Sequence, residues 1–211
     1  RSNMAISIRY KLIVGLLAFG IIPIFIVGWI SYSSTKEVEK SNLRSLETVS
    51  RNIADTIDRN LAERYGDVQA FTLNSVIRNQ NEWYQSGREN SITEVMNHYV
   101  KTYGVYYLTI LVDLNGKVIA VNSKNHNDDP INTNFIYDQN FRNSKWFQAL
   151  SRGEFTTSQP YTAPGNDKVT GTFIEDVHID ENVKRAYPGD DALTLGFSAP
   201  VYQDGKIIAY W

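Results

Sequence analysis

Residues 106–122 read YYLTILVDLNGKVIAVN, and the reading of this stretch decides the fold. Tyr106–Val112 is dense in aromatic and β-branched residues, the composition of a strand. Asp113-Leu114-Asn115-Gly116 is a turn signal, and Lys117–Asn122 is a second strand, so the stretch reads as a β-hairpin. On its N-terminal side the pattern is helical: Ser91–Tyr103 is expected as a helix that Gly104 ends. On its C-terminal side 124–134 is polar, with Asp-Asp-Pro inside it, and reads as a loop. Phe141–Arg152 reads as a short helix stopped at Gly153. Phe155–Ser158, Gly171–Ile179 and Leu193–Tyr202 are expected strands, and Gln203-Asp204-Gly205 turns the chain into a last strand, Lys206–Trp211. Helices first and strands after, with a small helix between, predict an α+β domain with a mostly antiparallel sheet. The apolar run ending at Trp211 carries no cap and no turn, so the sequence is expected to be a fragment cut inside or just after a domain.

Further upstream, Lys36–Asn79 has no Pro and one Gly, Gly66. Leu46, Val49, Ile53, Ile57, Leu61, Tyr65, Val68 and Phe71 follow one another at steps of three and four, the helical period. About 40 such residues make a rod ~60 Å long, more than a small domain can cover. Part of the stripe is therefore expected to meet a second copy of itself, making a homodimer.

Before that helix, Leu12–Ile30 reads LIVGLLAFGIIPIFIVGWI, and there is no charged residue between Lys11 and Lys36. About 20 apolar residues cross a ~30 Å hydrocarbon core. Pro23 is tolerable in such a helix, and Trp29 and Tyr32 fit an aromatic belt at its far end. A cleaved signal peptide would have a shorter apolar run followed by a small-residue cleavage site. Arg9 and Lys11 precede the span, whereas Lys36, Glu37, Glu39 and Lys40 cancel after it. The positive-inside rule then places the N-terminus in the cytoplasm and the rest outside.

Composition narrows the function. The 211 residues carry a net charge of −2 and are 42% hydrophobic, enough for a core and without the basic footprint of a nucleic-acid binder. There is no Cys, which removes thiolate catalysis and Cys-based metal sites. No G-x-S-x-G elbow or phosphate-binding loop is present, so the chain is not expected to be an enzyme. Asp176, His178 and Asp180 alternate, and His126, Asp128 and Asp129 have ligand chemistry, but stretches this polar are usually solvated edges or loops. No metal and no cofactor are expected.

Taken together, the apolar anchor, the long helix, YLTILVDLNGKVIAVNS, WFQAL, SQPYTAP and LGFSAPVYQDGKIIAYW resemble the first module of a double Cache (dCache) domain. Such domains are the extracytoplasmic input of bacterial chemoreceptors and membrane sensor kinases. The resemblance covers about Ser31–Trp211 and implies a PAS-like sheet hung on the long helix. It implies this organisation: 1–11 cytoplasmic N-terminus, 12–32 transmembrane helix, 33–80 juxtamembrane and dimerisation helix, 81–211 Cache module truncated at its C-terminal end. The implied function is small-molecule sensing by a receptor in the bacterial inner membrane, with its sensor module periplasmic and a methyl-accepting chemotaxis output. The input domain of a histidine kinase or diguanylate cyclase, and an interaction ectodomain without a ligand, are the alternatives.

In amino-acid-binding members an Arg two residues before the Trp holds the carboxylate, an aromatic follows the Trp, a Tyr-x-Asp lies on the next strand, and a further Asp after the last strand holds the amine. Here Trp146, Phe147 and Tyr161 match. Ser144 stands two before Trp146, the nearest Arg is Arg142, and the second motif reads Tyr161-Thr162-Ala163. The expected ligand site is therefore Trp146, Tyr161 and Phe147, with Arg142 and Tyr137 as polar partners. A guanidinium can hold two carboxylate oxygens at once. With no acidic group to hold an amine, an organic acid is expected in place of an amino acid. Residues 183–191 are more polar than a sheet connection needs and read as a ligand lid or an insertion.

Overall fold

The computed structural model describes residues 7–84, 90–156, 161–162 and 169–211, with 161–162 and 169–170 described by backbone alone. The chain divides into two compact units, Arg1–Arg59 and Asn60–Trp211. Helix α1 (Ile8–Thr72) begins in the first unit and ends in the second.

In the first unit, the large apolar side chains from Leu12 to Ile30 are all exposed. Such a surface is stable in hydrocarbon and not in water, so this part of α1 is a candidate membrane span. Pro23 sits inside the helix without ending it. Past the span the helix is polar on most sides, with Arg51 paired to Glu47 one turn back at 2.9 Å. Leu46, Val49, Ile53 and Ile57 remain exposed there.

In the second unit, the last turns of α1 enter a core. Val68, Gln69, Phe71 and Thr72 are buried. The helix was expected to run on to Asn79, but it stops at Thr72, and Asn74 is the reason. Its side-chain oxygen accepts a hydrogen bond from the Val76 amide at 2.9 Å, capping α2 (Ser75–Arg78), while its amide donates to the Tyr99 hydroxyl at 2.9 Å. A single 3₁₀ turn, Gln80–Glu82, follows. Helix α3 (Ser91–Tyr103) has the bounds its sequence predicts. The Asn90 side chain accepts from the Thr93 amide, and Gly104 closes it at φ 69°.

The strands are β1 (Ile110–Asp113), β2 (Val118–Val121), β3 (Tyr161–Thr162), β4 (Val169–Thr170), β5 (Phe173–Ile179), β6 (Leu193–Ser198), β7 (Pro200–Gln203) and β8 (Lys206–Tyr210). Helix α4 (Lys145–Ser151) precedes β3, and α5 (Glu181–Ala186) joins β5 to β6. The main sheet has the order β2-β1-β8-β7, while β3–β4 and β5–β6 form separate ribbons, every pair antiparallel. The hairpin turn is tied by Asp113, whose carboxylate accepts from the amides of Asn115 and Lys117 at 2.8 and 2.9 Å.

Both faces of the main sheet are covered, which is why its strands read as near-continuous apolar runs. On one face Leu111, Val201 and Ala209 meet Val68 and Phe71 of α1, Ile77 of α2, and Ile92 and Met96 of α3. On the other, Val112, Val118 and Tyr210 meet Ile136, Phe147 and Leu150.

Three strand expectations differ in extent. The first strand was expected from Tyr106 but its ladder starts at Ile110, because Asn122 replaces a strand neighbour: its side-chain oxygen accepts from the Thr109 amide at 2.8 Å. The run expected at Gly171–Ile179 is broken at Gly171 and Thr172, where the Thr172 carbonyl accepts from the Thr156 amide at 3.0 Å and its hydroxyl donates to the Tyr65 carbonyl at 2.7 Å. Leu193–Tyr202 divides at Ala199, which exchanges both backbone hydrogen bonds with Trp211. Of the expected strand Phe155–Ser158, Phe155 and Thr156 are not in a strand, and residues 157–158 lie outside the described residues.

A candidate cleft beside the sheet

A cleft of about 390 Å³ opens in the second unit. Two runs of backbone form its walls: Val105–Ile110, which leads into β1, and all of β6. One side is lined by Leu61, Arg64, Val68 and Phe71 of α1, another by Trp146 of α4 and Val183 of α5. Trp211 stands at the end where β8 enters, since Tyr210 pairs with Val112 and Trp211 with Ala199.

The one arginine at the cleft, Arg64, is already engaged. Arg64 Nε lies 2.9 Å from Asp67 Oδ2, close enough for an ion pair but not aligned for a hydrogen bond. The Tyr106 hydroxyl donates to the same oxygen at 2.8 Å. Burial, reinforced by that carboxylate, pushes the Tyr106 pKa well above its ordinary value. The Arg64 guanidinium also lies 5.5 and 5.6 Å from the ring centroids of Tyr103 and Tyr106. Across the cleft, the Tyr107 hydroxyl donates to Asp190 at 2.9 Å, a bond that raises its pKa. The Tyr187 hydroxyl donates to the Tyr107 carbonyl at 2.8 Å, and burial pushes its pKa up to about 12.

No family model, curated protein or solved structure matches the chain.

The five residues predicted to hold a ligand take different positions. Trp146 is half-buried and lines the cleft. Phe147, 4% exposed, turns instead into the core, edge-on to Tyr210 with ring centroids 5.0 Å apart. Tyr137 is half-buried, its hydroxyl within 3.4 Å of Thr93 Oγ1 and of the Val121 amide. These three share the apolar cluster that covers one face of the sheet. Arg142 is exposed beside the hairpin turn, where its amide donates to Asn140 Oδ1 at 2.9 Å. The backbone of Tyr161 pairs with Thr170 in the β3–β4 ribbon, while its side chain, like all of Ala163, lies outside the described residues.

Asp180, His178 and Asp128, three of the residues weighed as metal ligands, have other partners. Asp180 Oδ1 caps α5 by accepting from the amides of Asn182 and Val183. His178 Nε2 is 3.7 Å from the other Asp180 oxygen. Asp128 bridges Lys101 and Lys124, whose ammonium groups hold its carboxyl below the usual carboxylate range. Among the described residues no group of three or more His, Cys, Asp or Glu is placed to hold a metal ion. Residues 183–191 hold most of α5 and a turn that ends on Asp190, whose side chain accepts from the Ala192 amide at 2.8 Å.

Sequence reasoning missed the cleft walls. Tyr106–Ile110 and Leu193–Ser198 both carry strand composition, so each was read as an ordinary ladder member.

Proposed function

We propose that the chain is the sensing end of a membrane receptor, with the α+β unit outside the membrane and a PAS-like Cache fold. A small molecule bound on the α4 and β3 side of the sheet biases the position of α1, and α1 carries the change to a cytoplasmic output, most simply a methyl-accepting chemotaxis domain. One observation supports this above the others. Helix α1 is a single element from the candidate span to Phe71, and Phe71 is 3% exposed. A shift in core packing against Phe71 and Val68 therefore acts directly on the helix that holds the span.

The four-stranded order β2-β1-β8-β7, with the first and last strands side by side, agrees with a PAS-like sheet. The exposed stripe Leu46, Val49, Ile53 and Ile57 fits a helix–helix seam with a second copy, since steps of three and four keep one face toward a partner. Trp146 and Tyr161 are the anchors we assign to the ligand, and Arg142 the partner of its carboxylate.

Calorimetric titration of the full chain in detergent with succinate, malate and citrate tests the reading. Saturable binding is expected for at least one acid. Trp146→Ala should weaken it by about 2–4 kcal/mol, the loss typical of an aromatic anchor. Equal affinity in a folded Trp146→Ala variant, or heat from none of the acids, counts against the site.

A further inference from the structure

Besides its apolar contacts, α1 has a polar attachment on the edge that carries Tyr65 and Gln69. The buried Thr172 hydroxyl donates to the Tyr65 carbonyl at 2.7 Å, and the Gln69 side-chain amide donates to the same oxygen at 3.1 Å. Gly171, next to Thr172, has no room for a side chain. A Cβ there would lie 2.8 Å from Tyr65 Oη and 2.9 Å from Phe155 Cγ. Gly171 is therefore gripped between the Tyr65 hydroxyl of α1 and the Phe155 ring.

Phe155 leads back to α4. Residues 152–154 alone separate it from the end of that helix, and the Glu154 amide donates to the Ala149 carbonyl at 2.9 Å, which fastens the exit. The Phe155 ring packs on the same apolar cluster as Trp146. The next residue, Thr156, is tied to the far side of the grip twice. Its amide donates to the Thr172 carbonyl at 3.0 Å, and its hydroxyl accepts from the Ile174 amide at 2.7 Å. A displacement of α4 thus reaches Tyr65 through packed, hydrogen-bonded neighbours and does not have to cross the main sheet.

The hydrogen bonding at this attachment is unbalanced. The Tyr65 carbonyl takes two side-chain donors, whereas Tyr65 Oη and Gln69 Oε1 are buried with no hydrogen-bond partner among the described residues. A buried polar atom without a partner raises the free energy of the state that buries it, by an amount comparable to or larger than one hydrogen bond contributes. The seated arrangement gains the Thr172 bond and apolar burial. A displaced arrangement gives both orphaned atoms to water. Two arrangements with opposing terms of similar size make a two-state element.

We propose that Gly171 and Thr172 form a latch between α4 and α1, seated as seen here and released when Phe155 shifts. That a ligand drives the shift rests on the sensor reading. The latch itself rests on these contacts and is tested without any ligand.

The chain has no Cys, so one introduced thiol reports alone. Thr72→Cys places it on α1 at a position 5% exposed, and Ala120→Cys, in β2 and fully buried, is the control for opening of the whole fold. The measurement is the rate of thiol labelling of the full chain in detergent under native conditions. Phe155→Leu should speed labelling at position 72 by about threefold or more, and Thr172→Val should abolish that response, the sign of coupled residues. Thr172→Ser, which keeps the donor, should preserve it. Tyr65→Phe removes one orphaned atom from the seated state and should slow labelling by about tenfold. Labelling at position 120 should follow none of these changes beyond their effect on global stability. No response to Phe155→Leu, or the same response with Thr172 and with Val in its place, overturns the latch. So does unchanged or faster labelling in Tyr65→Phe, a variant that remains decisive if Thr172→Val fails to fold. Acid binding with an uncoupled pair would leave the sensor reading standing and remove the latch. A coupled pair without acid binding would do the reverse.

Discussion

Single residues here divide into those that hold the fold and those left at its surface, and adjacent positions can fall on opposite sides of that division. Phe147 and Trp146 are neighbours, yet Phe147 is core and Trp146 lines the cleft. Phe147→Ala should cost about 3–5 kcal/mol of stability, whereas Trp146→Ala should cost clearly less in the same denaturant titration. Gly116 is a second fixed point. It sits at φ +80°, and a Cβ there would lie 2.3 Å from the Arg142 amide nitrogen. Gly116→Ala is expected to cost about 1–3 kcal/mol, from the left-handed backbone and the clash together. Tyr187 provides a pH test. Its pKa is raised from the ordinary 10.0 to about 12, so the folded state keeps a proton that the unfolded chain loses first. Its contribution is complete below pH 10 and lost between pH 10 and about 12. Replacing it, Tyr187→Phe, should flatten the decline of stability over that window in pH-resolved melting curves.

At the scale of elements, the turn chemistry was the legible part. Asn90 and Gly104 bound α3, and Asp113 with Gly116 makes the hairpin, because these residues act on backbone within a few positions of themselves. What escaped was set by distant partners. Asn74 ends α1 because Tyr99, 25 residues on, receives its amide. Thr172 breaks a strand because the Tyr65 carbonyl is beside it. The same limit applies to the site: spacing places Trp146, Phe147 and Arg142 near one short helix, but which of them faces core, cleft or solvent depends on Tyr210 and the hairpin turn. The stripe on α1 divides likewise. Val68 and Phe71 are spent on the core, and Leu46 to Ile57 are not. The double variant Ile53→Asp with Ile57→Asp should weaken self-association of the membrane-embedded chain, read by crosslinking of Cys introduced along the stripe, and leave the melting of the α+β unit unchanged. Crosslinking that persists undiminished would place the seam elsewhere.

For the whole molecule, the proposed function places the α+β unit on the side of the membrane away from Arg9 and Lys11, with α1 running from the candidate span into the core of the sheet. That assignment carries the sensing role, since a domain on the cytoplasmic side would need a different source of ligand and a different route for its signal. The charge pattern supports it: basic residues alone precede the span, and Lys36, Glu37, Glu39 and Lys40 cancel after it. The most direct measurement is a paired reporter fusion after Thr35 in a bacterial host, alkaline phosphatase in one set of cells and green fluorescent protein in the other. The account predicts active phosphatase and dark fluorescent protein at that junction. Bright fluorescence with inactive phosphatase would contradict it.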